Sequence, residues 1–179
     1  MPALMDFLEA QKEAVLTRWL DLVLDTYAPD TAALWKKNKD PFANPVRFQL
    51  ESGMRGVLDG LVAGTNPPEA SVFAPHLDAI VRVRAVQDFT PSQAVACIFL
   101  LKKAVREALW SSVTEQGLFV ELLALESTID VLAQIAFDIY SRCRESIAQL
   151  RVDQIRRRYD RLLRRAGLVC DFSGADDTL

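Results

Sequence analysis

Apolar residues recur at three- and four-residue spacing through most of the chain, the period of amphipathic helices rather than of strands. Over residues 3–26, Leu4, Leu8, Val15, Trp19 and Leu22 share one face, while Asp6, Glu9, Glu13 and Thr17 lie opposite. Pro29 ends this segment, and Asp30 is placed to cap a short helix reaching about Lys37, with residues 38–44 as a loop. Asn44 followed by Pro45 predicts a helix start. The Asn side chain accepts from orphan backbone N–H groups, and Pro at the first position has no N–H to lose. That helix is expected to run to about Ala63, with Gly64 as its stop and Val46, Leu50, Met54, Val57 and Leu61 facing inward. Phe48 falls on its polar side, where it reads either as a partner contact or as a second small packing contact. After Pro67 and Pro68 a helix is expected from Glu69 or Ser71 to Gln87, with Phe73, Leu77, Ile80 and Val81 on one face. Pro75 either kinks it or sits in its first turn.

The sharpest local signal is Phe89-Thr90-Pro91-Ser92-Gln93. Thr90 is the cap, Pro91 the first helical residue, and Gln93 completes a capping box. Residues 94–101 are apolar all round, which places this helix centrally in the core, and it is expected to end near residues 110–113. From Gly117 to Arg165 no Pro or Gly intervenes after the opening Gly. Leu118, Leu122, Leu125, Ile129, Leu132, Ala136, Ile139 and Cys143 alternate by four and three as a heptad seam. The phase then shifts, and Val152, Ile155, Tyr159 and Leu162 form a second seam. Unbroken, this helix spans roughly 75 Å at 1.5 Å per residue. A chain of this size has a radius of gyration of about 16 Å, so the helix must break or project. Phe119, Val120, Leu123, Ile135 and Phe137 make its first half apolar on more than one face, the pattern of a helix that packs on its own domain and on a second subunit. No strand and no internal repeat is evident, so the expected fold is all-α. Residues 1–166 form one helical domain that includes the long C-terminal helix, and residues 167–179 form a short acidic tail expected to be disordered.

The 179 residues are half apolar and a quarter charged, with few Gly and Pro, as expected of one globular domain. The formal charge of −3 offers no global nucleic-acid footprint. Locally, Arg142, Arg144, Arg151, Arg156, Arg157, Arg158, Arg161, Arg164 and Arg165 make the second half of the last helix basic. Asp153 and Asp160 interrupt that run and the apolar seam persists through it, so it reads at least as well as a partner helix or a membrane-surface element as it does as a nucleic-acid binder, with the partner helix preferred. Arg156, Arg157, Arg161 and Arg164, together with Phe48, are the expected protein-partner residues. Cys97, Cys143 and Cys170 are widely spaced and form no CxxC pair, which argues against a disulfide framework or a zinc site. The N-terminus lacks the basic-then-apolar order of a signal peptide, and the longest apolar run is too short for a membrane span. The expected location is cytoplasmic.

His76 is the only histidine and sits at the edge of its helix's apolar face, so it reads as structural. No haem, other cofactor or metal is expected. No nucleophile–base pair, HExxH, P-loop or GxGxxG is present, and catalysis is not expected. Arg84 occupies a position on the Phe73, Leu77, Ile80 and Val81 face where an apolar residue belongs. One reading is a site for an anionic ligand formed with Gln87. The other is an internal ion pair to Asp88 or Asp40. Asn44, Thr90 and Gln93 are accounted for by capping, and Lys102 by a snorkelling stem.

Three stretches together resemble the N-terminal domain of the RsbR/RsbD family of RsbT co-antagonists. They are Thr26 and Tyr27 through Lys39-Asp40-Pro41-Phe42-Ala43-Asn44-Pro45-Val46, then Arg82-Val83-Arg84-Ala85-Val86-Gln87-Asp88-Phe89-Thr90-Pro91-Ser92-Gln93-Ala94, then the Arg-rich final helix. The resemblance implies a globin-like helical bundle without haem that forms a homodimer and serves as a sensory module of the stressosome stress response. In that family the domain passes its state through a C-terminal linker helix to an STAS domain, whose threonines the RsbT kinase phosphorylates. No STAS domain is expected beyond the linker helix, and so no phosphorylation site is expected to carry over. The expected function is therefore a non-catalytic sensory module signalling through dimer and long-helix packing. The alternative is a structural adaptor that binds a partner through its Arg-rich helix.

Overall fold

The computed structural model describes residues 4–38, 40–64, 68–87 and 89–166. Among them are seven α-helices and no strand: α1 (Leu4–Ala10), α2 (Lys12–Leu24), α3 (Pro29–Lys37), α4 (Pro45–Val62), α5 (Ala70–Val86), α6 (Pro91–Gln116) and α7 (Phe119–Arg165). The protein is an all-α helical bundle with a long C-terminal helix. It divides into two units, residues 1–143 and 144–179. The expected tail, 167–179, lies outside the described residues.

The first unit holds a single apolar core to which α1, α2, α4, α5, α6 and the first part of α7 all contribute. The expected first helix is two. Gln11 leaves the helical well (φ −107°, ψ 13°), although its N–H still donates to Phe7 O and its carbonyl still accepts from Val15 N. Leu4, Leu8, Val15 and Trp19 are nonetheless all buried, so the kink keeps both pieces on the core, while Leu22 is only half-buried. Asp30 does not cap α3. Pro29 is already the first helical residue, Ala28 holds the cap position, and Asp30 sits inside the first turn, where a negative charge suits the helix dipole. Asn44 does cap α4, accepting from Arg47 N at 3.1 Å. Gly64, at φ +78°, follows its end. Thr90 and Gln93 form the reciprocal capping box that opens α6. That helix runs past residues 110–113 to Gln116 and stops at Gly117, whose φ of +71° is cheap only for glycine.

Helices α4 and α5 pack closely along Gly53, Gly56 and Gly60. A Cβ on Gly53 would lie 2.7 Å from the His76 carbonyl oxygen and 2.8 Å from Ile80 Cγ1. One on Gly60 would lie 2.7 Å from the Phe73 ring, and one on Gly56 would collide with the His76 imidazole. Each glycine costs α4 about 1 kcal/mol of helix propensity, offset here by the close approach of α5. Pro75 falls inside α5 rather than in its first turn, and the carbonyl it leaves without a helical donor is that of Ser71, at the exposed start of the helix. Trp19 fixes α2 against α6 by donating Nε1–H to Cys97 O at 2.7 Å. Cys97 is fully buried, and burial pushes its thiol up to about 11, the behaviour of a packing residue rather than a reactive one.

In α7, the seam read from spacing is the buried face: Leu122, Leu125, Ile129, Leu132, Ala136 and Ile139 are all in the core. Arg106–Glu126 and Lys102–Asp130 flank it from α6. The second unit is the basic continuation of this helix, in which Leu150, Val152, Ile155, Tyr159, Leu162 and Leu163 are exposed.

Substituting Gly53 with Ala should destabilise the protein by about 1–3 kcal/mol despite the better helix propensity, because the new methyl meets backbone rather than a flexible side-chain end. Urea unfolding followed by circular dichroism measures this; unchanged or raised stability would show that α5 gives way freely.

Candidate functional site

The corner between α5 and α6 gathers the residues of the motif stretches. Arg84 belongs to the inward face of α5, one turn after Ile80 and Val81, and is 1% exposed. The helix ends two residues later, and the chain turns back so that Phe89 N donates to Arg84 O at 3.3 Å. The guanidinium is held from three sides. Nη2 donates to Thr26 Oγ1 at 2.9 Å and to the Gln93 carbonyl at 3.2 Å. Its carbon lies 4.1 Å from the centre of the Phe89 ring and 5.2 Å from that of Tyr27. Tyr27 also packs edge-on against Trp35 and Phe89, at 4.8 and 5.1 Å between centroids.

This is not the ion pair that Asp40 offered. Asp40 is exposed and accepts from Phe42 N within its own loop. Asp88 lies outside the described residues. Among the described residues Arg84 meets no carboxylate, and its Nε and Nη1 are buried without hydrogen-bond partners, as is the Tyr27 hydroxyl. Burial raises the Tyr27 pKa, and the nearby Arg84 charge opposes that rise. Stacking on two rings recovers about 2 kcal/mol for a desolvated guanidinium. Each unmet buried donor costs about 1–3 kcal/mol. Among the described residues the corner is therefore electropositive and short of acceptors.

Gln87, read with Arg84 as one site, lies elsewhere. It is exposed and lines a surface groove of about 350 Å³ between α4 and α5 with Val46, Gln49, Val83 and Val86, and Arg84 is not part of that lining. A residue that sequence reasoning missed is Tyr140 of α7, whose hydroxyl donates to Phe89 O at 2.6 Å. All three motif stretches thus touch at this corner: Thr26 and Tyr27, the Arg84–Gln93 segment, and the last helix.

The remaining candidates have structural occupations. Asn44 is buried with both ends of its amide engaged, Oδ1 by Arg47 N and Nδ2 by the carbonyls of Trp35 and Asn38. His76 is half-buried with its ring against Gly56. Lys102 pairs with Asp130 at 2.6 Å. No group of His, Cys, Asp and Glu among the described residues could hold a metal ion. No helix among them is long and apolar enough to cross a membrane.

Of the expected partner residues, Phe48 is 53% exposed on α4. Arg156, Arg157, Arg161 and Arg164 are exposed on the second unit, where Arg161 Nε donates to Arg157 O. A larger surface appears on the first unit. Val95 and Phe99 of α6, with Ala133, Gln134 and Phe137 of α7, line an open groove of about 650 Å³. Trp110 and Phe119 stack edge-on farther along and stay exposed, as do Val120 and Leu123.

Replacing Arg84 by Met should leave stability within about 1 kcal/mol of the parent or raise it, because an isosteric apolar group removes unmet buried donors. A loss of about 3 kcal/mol or more in urea unfolding would make Arg84 a structural tie instead.

Residues 13–158 match the family described as RsbT co-antagonist protein rsbRD N-terminal domain. No curated protein and no solved structure matches the chain.

Proposed function

This chain belongs to the RsbT co-antagonist rsbRD N-terminal domain family, a regulatory family, and from that membership we propose that it is a non-catalytic sensory module that pairs with a second copy and reports its state through α7. The observation that carries this reading is that α7 is buried on one face only. Opposite Leu122, Leu125 and Ile129, the first half of α7 keeps Phe119, Val120, Leu123 and Phe137 exposed, beside Phe99 and Trp110 of α6. So many large apolar side chains on neighbouring helices mark a surface that another polypeptide covers. A second copy covers it with the same surface, as two-fold symmetry requires. The signal is read at the Arg84 corner, where a small anionic group would satisfy Nε, Nη1 and the Tyr27 hydroxyl. The hydrogen bond from Tyr140 to Phe89 O connects that corner to α7. Gln87 contributes only if the α5–α6 turn rearranges.

A second reading is favoured by a different observation. The second unit exposes an apolar seam among eight arginines, which fits an adaptor that holds a protein partner.

Multi-angle light scattering recorded with the visible absorption spectrum tests the first reading. The expected result is a colourless dimer that becomes a monomer of unchanged helicity when Leu123 and Phe137 are both replaced by Asp. A monomeric parent protein, or a double variant that remains dimeric, would overturn pairing through this face. A Soret band would overturn the cofactor-free reading and make His76 the first residue to replace.

A further inference from the structure

The second unit carries a pattern that the dimer proposal does not use. With Glu145, Val152, Tyr159 and Ala166 at heptad position a, the d positions are Ala148, Ile155 and Leu162. Position g is then Arg in every heptad: Arg144, Arg151, Arg158 and Arg165. Position e holds Gln149, Arg156 and Leu163, with no acidic residue. The larger seam side chains, Val152, Ile155, Tyr159 and Leu162, are 42–62% exposed. Arg151, Arg158 and Arg165 form no ion pair among the described residues.

Residues at e and g choose the partner of a coiled coil. In a parallel pair of identical helices each g residue faces e of the following heptad. A second copy would then set Arg144 against Gln149, Arg151 against Arg156 and Arg158 against Leu163, giving one repulsive contact and no attractive one. An antiparallel pair would set the arginine row against itself. A helix with Leu-like residues at a and d and Glu at e meets every arginine of the row with a carboxylate while covering the same seam. The seam therefore selects for opposite charge.

We propose that residues 144–166 are a docking helix for an acidic amphipathic helix of a different protein, seated on the Val152–Ile155–Tyr159–Leu162 seam and selected by the heptad row of arginines. The proposal rests on the second reading above and is independent of pairing through the first unit.

The test uses the full chain and a synthetic heptad peptide with Leu at a and d and Glu at e and g. The same peptide with Lys at e and g is the control, and binding is followed by fluorescence anisotropy at low and high salt. The acidic peptide should bind, weaken with salt, and be preferred over the basic one. The triple variant Arg151→Glu, Arg158→Glu, Arg165→Glu should lower acidic-peptide affinity by about tenfold or more and gain affinity for the basic peptide. The pair Ile155→Asp, Leu162→Asp should abolish binding with the arginines intact. Equal binding of both peptides, or no binding, would overturn the proposal. So would acidic-peptide binding that survives the seam variant, which would make the surface a general polyanion site. Phosphatidylglycerol vesicles or duplex DNA binding more tightly than the acidic peptide would overturn it as well. Light scattering on the same variants separates the two proposals, since the dimer should persist whichever way the peptide experiment falls.

Discussion

A guanidinium taken out of water sets the terms for the α5–α6 corner. Arg84 cannot be solvated where it lies, so Thr26, the Gln93 carbonyl and the faces of Phe89 and Tyr27 must all be in place to hold it. Those four contacts come from the segment after α2, from the α5–α6 turn and from the first turn of α6. One charge thus ties together segments far apart in sequence. The capping box at Thr90 serves the same end, because it fixes where α6 begins and so where the Gln93 carbonyl stands. Even so, two nitrogens and a phenol hydroxyl go without partners among the described residues. On the contacts among the described residues, stability alone does not account for a core position filled in this way, since a Met or Leu there would bring no unmet donor of its own.

The corner was partly legible in the sequence. Arg84 was visible as a polar residue on an apolar face, because helical period is a strong signal and a single violation stands out. Its partners were not: Asp40 is occupied in its own loop, and among the described residues a carbonyl, a hydroxyl and ring faces hold the guanidinium, groups that carry no sequence signature. Tyr140 was hidden for the same reason. It lies beside the seam of α7, and only the fold brings its hydroxyl to the Phe89 carbonyl.

Elsewhere, the local rules that read well were those with one dominant cause. Asn44 and Thr90 cap, Gly64 and Gly117 follow helix ends, and the 118–143 seam is buried, because cap chemistry and heptad spacing act within a turn or two. Asp30 failed because two cap signals adjoin, and Pro at the first helical position outweighed a side-chain acceptor. The kink at Gln11 has no breaker residue to announce it and reflects what α1 and α2 each pack against. The glycines of α4 were the missed opportunity. Gly53, Gly56 and Gly60 recur at helical spacing inside a helix, where they are costly unless another helix comes close.

Whether the corner can act as more than a clasp turns on magnitude. Allosteric couplings amount to about 1–3 kcal/mol. The contacts at Arg84 are of that order: an unmet buried donor costs about 1–3 kcal/mol, and the hydrogen bond that joins Phe89 to Tyr140 contributes about 1 kcal/mol. A ligand acceptor that satisfied Arg84 would therefore gain as much as the Phe89–Tyr140 tie holds. It could shift the turn that carries Phe89 without unfolding the core behind it. A corner bound by a full ion pair would resist such a shift, and one lined only by apolar groups would offer a ligand nothing to grip. With the partners it has among the described residues, Arg84 lies between those limits.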